Sequence, residues 1–135
     1  MGEVRKGLLD TSVVIAREED PGIHESLPRE FSVSAATLAE LQYGILVAKD
    51  EVTRRLRLRR LGDVESTMEA LAIDAAVARS FAMVAHAVKT AGRQPKARVM
   101  DLWIAATALT HKIPLYTRNP DDFHGLQELI EIIVI

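Results

Sequence analysis

The sequence predicts an α/β fold, a mainly parallel sheet covered by helices on both faces. Short runs of β-forming residues alternate with longer stretches of helical periodicity along all 135 residues. Strands separated by helices imply right-handed crossovers between parallel neighbours. The length is one domain's worth, so residues 1–135 are expected to form a single domain with a core of its own. Apolar residues make up 48% and charged residues 27% of the chain, which excludes disordered, collagen-like and coiled-coil compositions.

Val4–Leu9 reads as a short strand ending at Asp10, followed by a helical turn or two through Val13–Arg17. Phe31–Val33 is a second strand and Ser34–Val47 a helix. Asp50 opens a charged helical stretch reaching about Ala70, with a break expected at Gly62, and Leu71–Ile73 is a brief extended piece. Asp74 is an N-cap residue. Behind it Val77, Phe81, Val84, Ala85 and Val88 form the stripe of an amphipathic helix, and Gly92 stands where a closing glycine belongs. Residues 93–98 make a basic loop around Pro95. Val99–His111 is the most apolar helix, with Leu102, Trp103, Ala106 and Leu109 inward. Ile113–Tyr116 is a strand, Asn119–Gly125 a turn, and Leu129–Ile135 a last strand of mostly isoleucine and valine.

Composition removes several chemistries. There is no cysteine, so disulfides, zinc-thiolate sites, iron–sulfur clusters and cysteine nucleophiles are out. All seven glycines are isolated, so phosphate-loop and dinucleotide motifs are absent. The four histidines, His24, His86, His111 and His124, are scattered; His86 reads as helix and the others as loop residues. No apolar run approaches the roughly 18 residues a membrane span needs. Met1–Lys6 lacks a hydrophobic leader and Lys6 breaks the myristoylation pattern, so a cytoplasmic protein with no membrane partner is expected. Net charge is only −2, yet Arg54, Arg55, Arg57, Arg59 and Arg60 cluster, as do Lys89, Arg93, Lys96 and Arg98. Six aromatic residues are too few for a surface that holds single strands mainly by stacking. Trp103 and Phe123 read as core.

In a parallel sheet the site lies at the carboxyl ends of the strands, which singles out Asp10, the Ser34 region and Thr117–Asp122. Taken singly, each acid there has an ordinary structural reading. Asp10 suits the N-cap of the next helix. Thr37-Leu38-Ala39-Glu40 fits a capping box. Asp101 suits a helix first turn, paired with Arg98 three residues back. Asn119-Pro120-Asp121-Asp122 is turn chemistry. Taken together they converge on one rim. Carboxylates about 4 Å apart repel by roughly 4 kcal/mol at an effective dielectric near 20, so one protonates or a divalent cation neutralises the set. All-oxygen ligands without Cys or paired His select Mg²⁺ or Mn²⁺ over zinc.

Four segments carry a family resemblance: Leu8-Leu9-Asp10-Thr11-Ser12, Ser34 to Leu41, Asp101 to Leu109, and Thr117-Arg118-Asn119-Pro120-Asp121-Asp122-Phe123. In this order they resemble the successive motifs of PIN-domain ribonucleases, and more narrowly of VapC-type toxins from bacterial toxin–antitoxin pairs. The resemblance implies a three-layer α/β/α PIN-like domain whose acidic pocket binds Mg²⁺ or Mn²⁺ and hydrolyses RNA phosphodiesters. Asp10, Glu40 and Asp101 match the family's first three acids. For the fourth, Asp122 matches the VapC-type pattern, while many PIN domains carry an acid where this chain has Asn119; Asp121 has no family role. Thr11, Ser12, Thr117 and Asn119 are then expected to hydrogen-bond around the acids.

The resemblance also implies a VapB-type antitoxin with a segment in the active-site groove, and a homodimer. RNA must reach an acidic pocket, so basic rims should flank it. Arg93, Lys96 and Arg98 directly precede the Asp101 helix and are the first choice for phosphate contact; the Arg54–Arg60 cluster is either a solvated helix face or a surface for RNA or an acidic antitoxin segment. Competing readings are a PIN nuclease of RNA processing outside a toxin pair and a catalytically silent scaffold binding RNA or a partner. A receiver domain would need an acidic pair near the first strand, and a haloacid-dehalogenase-like phosphatase Asp-x-Asp where this chain has Asp10-Thr11-Ser12.

Overall fold

Leu8 and Leu9 are adjacent in sequence and fully buried, yet they belong to opposite cores. Successive strand side chains point to opposite faces, so this strand is covered on both sides. The computed structural model describes residues 5–135. It contains strands β1 (Lys6–Leu9), β2 (Glu30–Ser34), β3 (Glu69–Leu71), β4 (Leu115–Thr117) and β5 (Ile132–Val134). Its helices are α1 (Thr11–Glu19), α2 (Ala35–Leu46), α3 (Glu51–Thr67), α4 (Ala75–Thr90) and α5 (Val99–His111). The expected first residue of the first strand, Val4, lies outside the described residues.

The five strands pair in parallel in the order β3-β2-β1-β4-β5. Leu8 and Leu9 register with Leu115 and Tyr116. One core joins Leu8 and Leu115 to α4 and α5; the other joins Leu9, Val33 and Tyr116 to α1, α2 and α3. The three-layer α/β/α expectation holds. The chain winds from β1 through β2 to β3, then crosses to β4 on the other side of β1. That reversal makes the gap between the ends of β1 and β4 the crevice where open α/β sheets place their sites.

Asp10, Ser34, Asp50 and Asp74 each accept a bond from a first-turn amide and so start α1, α2, α3 and α4. Gly92, at φ +86°, follows the last turn of α4 as expected. Gly7 is there to leave space. A Cβ at that position would collide with the ring of Tyr116, so β1 approaches the ring only without a side chain.

Several boundaries differ from expectation. α3 runs through Gly62 without a break, because Leu61 and Val64 on either side are buried and offset the roughly 1 kcal/mol a helical glycine costs. The last strand is only Ile132–Val134, since the amides of Leu129 and Ile130 fold back onto the carbonyl of Leu126. The fourth begins at Leu115, after Lys112 closes α5 in a left-handed turn. Residues Pro95–Arg98 form a 3-10 turn rather than an open loop. His111 ends α5 and His24 lies in a 3-10 turn, so neither is a loop residue; all four histidines are exposed. Phe123 is fully buried, and Trp103 is partly buried with its ring centroid 4.0 Å from that of Phe81.

Candidate active site

Asp10 leaves the end of β1 buried, with only 4% of its surface exposed. Its Oδ1 accepts bonds from the Val13 amide (3.2 Å) and the Ser12 hydroxyl (2.5 Å), and Oδ2 from Thr117 Oγ1 (2.6 Å). Burial pushes its carboxyl above the ordinary range, the three hydrogen bonds pull it back, and the charge of Asp122 pushes it up again. Asp10 is therefore both a helix cap and a charged group facing other acids. Thr117 ends β4, beside β1, which is why two residues 107 positions apart meet.

Glu40 comes from the adjacent helix. The capping-box expectation for Thr37 and Glu40 fails: Ser34 caps α2, which puts Glu40 well inside the helix. Its carboxylate has a tertiary partner instead. Thr11 Oγ1 lies 2.6 Å from Oε1 of Glu40 and 3.1 Å from the buried hydroxyl of Thr37. Thr11 thus ties the start of α1 to α2.

Asp101 stands in the first turn of α5, where the helix dipole favours an anion. Even so, its carboxyl is raised to about 6, by burial first and then by the charges of Asp122 and Glu40, with Arg98 opposing and Asp10 adding. Asp10, Glu40, Asp101 and Asp122 therefore share one electrostatic neighbourhood. Asp122, in the 3-10 turn after β4, bonds the guanidinium of Arg98, whose Nη1 also lies 3.8 Å from Asp101 Oδ2. Arg98 starts α5 without a side-chain cap, a position where the dipole disfavours a cation; the two acids hold it there.

Of the remaining expected residues, Ser12 and Thr117 bond Asp10, and Ser12 also accepts the Arg118 amide at 3.2 Å. Asn119 takes part through its backbone, its amide donating to Thr117 Oγ1 at 2.9 Å while the residue is exposed. Asp121 is exposed, and its backbone carbonyl accepts a bond from Arg93 Nη1 at 2.7 Å. Arg93 and Arg98 are thus turned toward the acidic turn, while Lys96 is exposed. Sequence reading missed the role of Thr37, because Thr-x-x-Glu is also a capping signature. It also missed the approach of α3 to Glu40: Arg57 and Arg60 line a cleft shared with Thr11 and Glu40.

As placed, no three of the described His, Asp or Glu side chains form a ready metal cage. Each acid is engaged by a neighbour: Asp10 by Thr117 and Ser12, Glu40 by Thr11, Asp101 and Asp122 by Arg98. The donor chemistry nevertheless fits a hard dication, since every group is a carboxylate and Asp101 is disfavoured as an anion by the other three.

A match to the PIN domain spans residues 7–129. The chain belongs to the PIN-domain family. It is 38% identical over 132 residues to Ribonuclease VapC5 of Mycobacterium tuberculosis, covering 96% of this chain and 93% of that protein. It is 40% identical over 107 residues to Ribonuclease VapC8 of the same species, covering 79% of this chain and 94% of that one. The crystal structure of VapBC-5 from M. tuberculosis, a member of the VapBC family of toxin–antitoxin systems, contains a similar chain. It superposes with a TM-score of 0.83 at 37% identity, over 96% of this chain and 98% of that one. This PIN domain therefore resembles a named ribonuclease in sequence, and a chain of a toxin–antitoxin structure in fold, over nearly its whole length.

Proposed function

We propose that residues 1–135 act as one PIN domain, a Mg²⁺- or Mn²⁺-dependent endoribonuclease that serves as the toxin of a toxin–antitoxin pair. The observation that carries this is the convergence of Asp10, Glu40, Asp101 and Asp122 on the β1/β4 crevice, where burial first and then the neighbouring acids raise the Asp101 carboxyl to about 6. The likeness to VapC5 and VapC8, both named ribonucleases, supplies the substrate class.

Asp10, Glu40, Asp101 and Asp122 are the residues that hold the cation in this reading. When bound, such a cation offsets their repulsion and the charge of the phosphate, and makes water a better nucleophile. The chain's own part is orientation. Thr117, Ser12 and the Val13 amide fix both oxygens of Asp10, and Thr11 fixes one oxygen of Glu40. Asp101 must give up its proton to act as a ligand, and near pH 7 it has done so. Arg98 exchanges the two acids for an incoming phosphate, bringing a guanidinium to the scissile group. The reaction needs no protein nucleophile.

The partner in this reading is a VapB-type antitoxin, and the protein is a homodimer. Tyr43 and Leu46 on α2 and Val47 just after it are large, apolar and exposed, the kind of surface that marks a protein contact. Cytoplasmic residence completes the proposal; among the described residues no helix is long and apolar enough to cross a membrane.

Mapping 5′ ends in cellular RNA after induction tests the reading. New, discrete ends should arise with the parent protein and be absent with Asp10→Ala. Identical maps from the two would overturn it.

A further inference from the structure

The arginines of α3 divide by face. Arg55 and Arg59, four residues apart, are exposed. Arg57 and Arg60, three apart, turn inward against α1 and α2 and line a cleft of about 280 Å³ with Thr11, Glu40 and Gly44. The Arg60 side chain is 17% exposed, and its Nε and Nη2 both lie 3.1 Å from Glu18 Oε2. Arg57 reaches across to α2, where its Nη1 donates to the Gly44 carbonyl at 2.6 Å. That bond uses one of the five N–H donors of a guanidinium. The fork is held in place and still has donors to give.

The position of this cleft matters more than its size. Thr11 and Glu40 belong both to it and to the acidic crevice. Arg98 and Arg93 lie on the other side, beside Asp122 and Asp121. Cations therefore flank the carboxylates on both sides. An RNA strand carries one negative charge per nucleotide and is repelled by four acids at the point where it must be cut. Its neighbouring phosphates have to be held on either flank, and arginine forks suit phosphate oxygens through paired, charge-assisted hydrogen bonds.

We propose that the cleft between α1, α2 and α3 is a phosphate subsite, in which Arg57, supported by Arg60, binds a backbone phosphate of the RNA next to the one at the acidic crevice. The inference rests on the ribonuclease reading above and adds to it a path for the strand: from the Arg98 side, across the acids, to α3. Arg60 is a positioning residue here, with Glu18 as its anchor.

The test uses the full chain, a fluorescein-labelled single-stranded RNA and two readouts, binding by anisotropy and cleavage by gel, each over a series of salt concentrations. Arg57→Gln should weaken binding about tenfold and raise KM by a similar factor, with kcat nearly unchanged. The slope of log affinity against log salt should shrink by about 0.7, the value for one single-strand phosphate contact. Arg57→Lys, which keeps the charge and loses the fork, should fall between the two, and Arg59→Gln should behave as the parent does. A thermal melt establishes that each variant is folded. Should Arg57→Gln prove unfolded, Arg57→Lys decides, by weakening RNA binding or leaving it unchanged. Parental affinity and slope in a folded Arg57 variant would overturn the subsite. So would a variant that loses capture of a VapB-type antitoxin while keeping RNA affinity, which would make the cleft a protein-docking feature. If the parent binds RNA in an Arg57-dependent way and does not cut it, the subsite stands and the nuclease reading falls. A parent that neither binds nor cuts RNA would overturn both.

Discussion

Arg98 holds Asp122: its guanidinium bonds one carboxylate oxygen and lies 3.8 Å from Oδ2 of Asp101. A cation from the chain itself thus stands between two acids that a divalent ion would bind. Arg98 thereby engages two of the four acids, while Thr117 and Ser12 engage Asp10 and Thr11 engages Glu40. Arg98→Gln removes this competitor. The variant should bind Mn²⁺ about tenfold more tightly in the absence of RNA, since a charge pair near 4 Å is worth up to roughly 4 kcal/mol before solvent screening reduces it. Electron paramagnetic resonance of free Mn²⁺ reads this directly. Unchanged or weaker Mn²⁺ binding would remove Arg98 from the role of counter-ion.

Asp101→Asn should abolish RNA cleavage and leave the fold intact. The amide has nearly the size and shape of the carboxyl, and Asp101 is disfavoured as an anion by burial first and then by the charges of Asp122, Glu40 and Asp10. Cleavage at the parental rate by the purified, folded variant would show that Asp101 is not part of the machinery.

The same group sets a pH dependence. Folded, Asp101 takes up its proton near pH 6; its ordinary value is 3.8. Between these values the folded state holds more protons, so the contribution of Asp101 to stability falls as pH rises through that window. Without divalent cations, Asp101→Asn should therefore be more stable than the parent at pH 7.5, and the gap should close toward pH 4. Denaturant melts at several pH values measure the difference. A constant gap across that range would contradict the raised value.

Much of this architecture is legible in the sequence because two signals are local. Strand-forming runs that stop at Asp10 and at Tyr116, and caps at Asp10 and Asp74, depend on neighbours a few residues away. The candidate acids stand out for the same reason: each closes or follows an apolar segment. What the sequence left open depends on packing. Gly62 reads as a break until Leu61 and Val64 are seen to be buried. Thr37 and Glu40 read as a capping box until Ser34 is seen to start the helix and Thr11 to hold Glu40. Asp121 and Asp122 are told apart in the sequence only by the family pattern; physically it is the turn between Pro120 and Phe123 that sends Asp122 toward Arg98 and leaves Asp121 exposed. The division of the α3 arginines follows from which helix face meets α2, a choice no periodicity of this charged segment records.

Thr117 offers a test of how the crevice is held. Its fully buried hydroxyl donates to Asp10 Oδ2 at 2.6 Å and accepts the Asn119 amide at 2.9 Å, so one side chain joins the end of β1 to the acidic turn. Thr117→Val keeps the shape and removes both bonds, leaving a buried carboxylate oxygen and a backbone amide short of a partner. The buried carboxylate oxygen left unsatisfied costs about 1–3 kcal/mol, the amide of exposed Asn119 less because water reaches it, and the loss pushes the Asp10 carboxyl further up, because one of the bonds holding it down is gone. Thr117→Ser retains the hydroxyl and should recover most of the loss. Denaturant melts of the three proteins measure the stability, and the acid limb of the pH profile of RNA cleavage reads the shift: for Thr117→Val it should lie at higher pH than for Thr117→Ser. Equal stability and equal pH profiles for the Val and Ser variants would show that the hydroxyl does not hold Asp10.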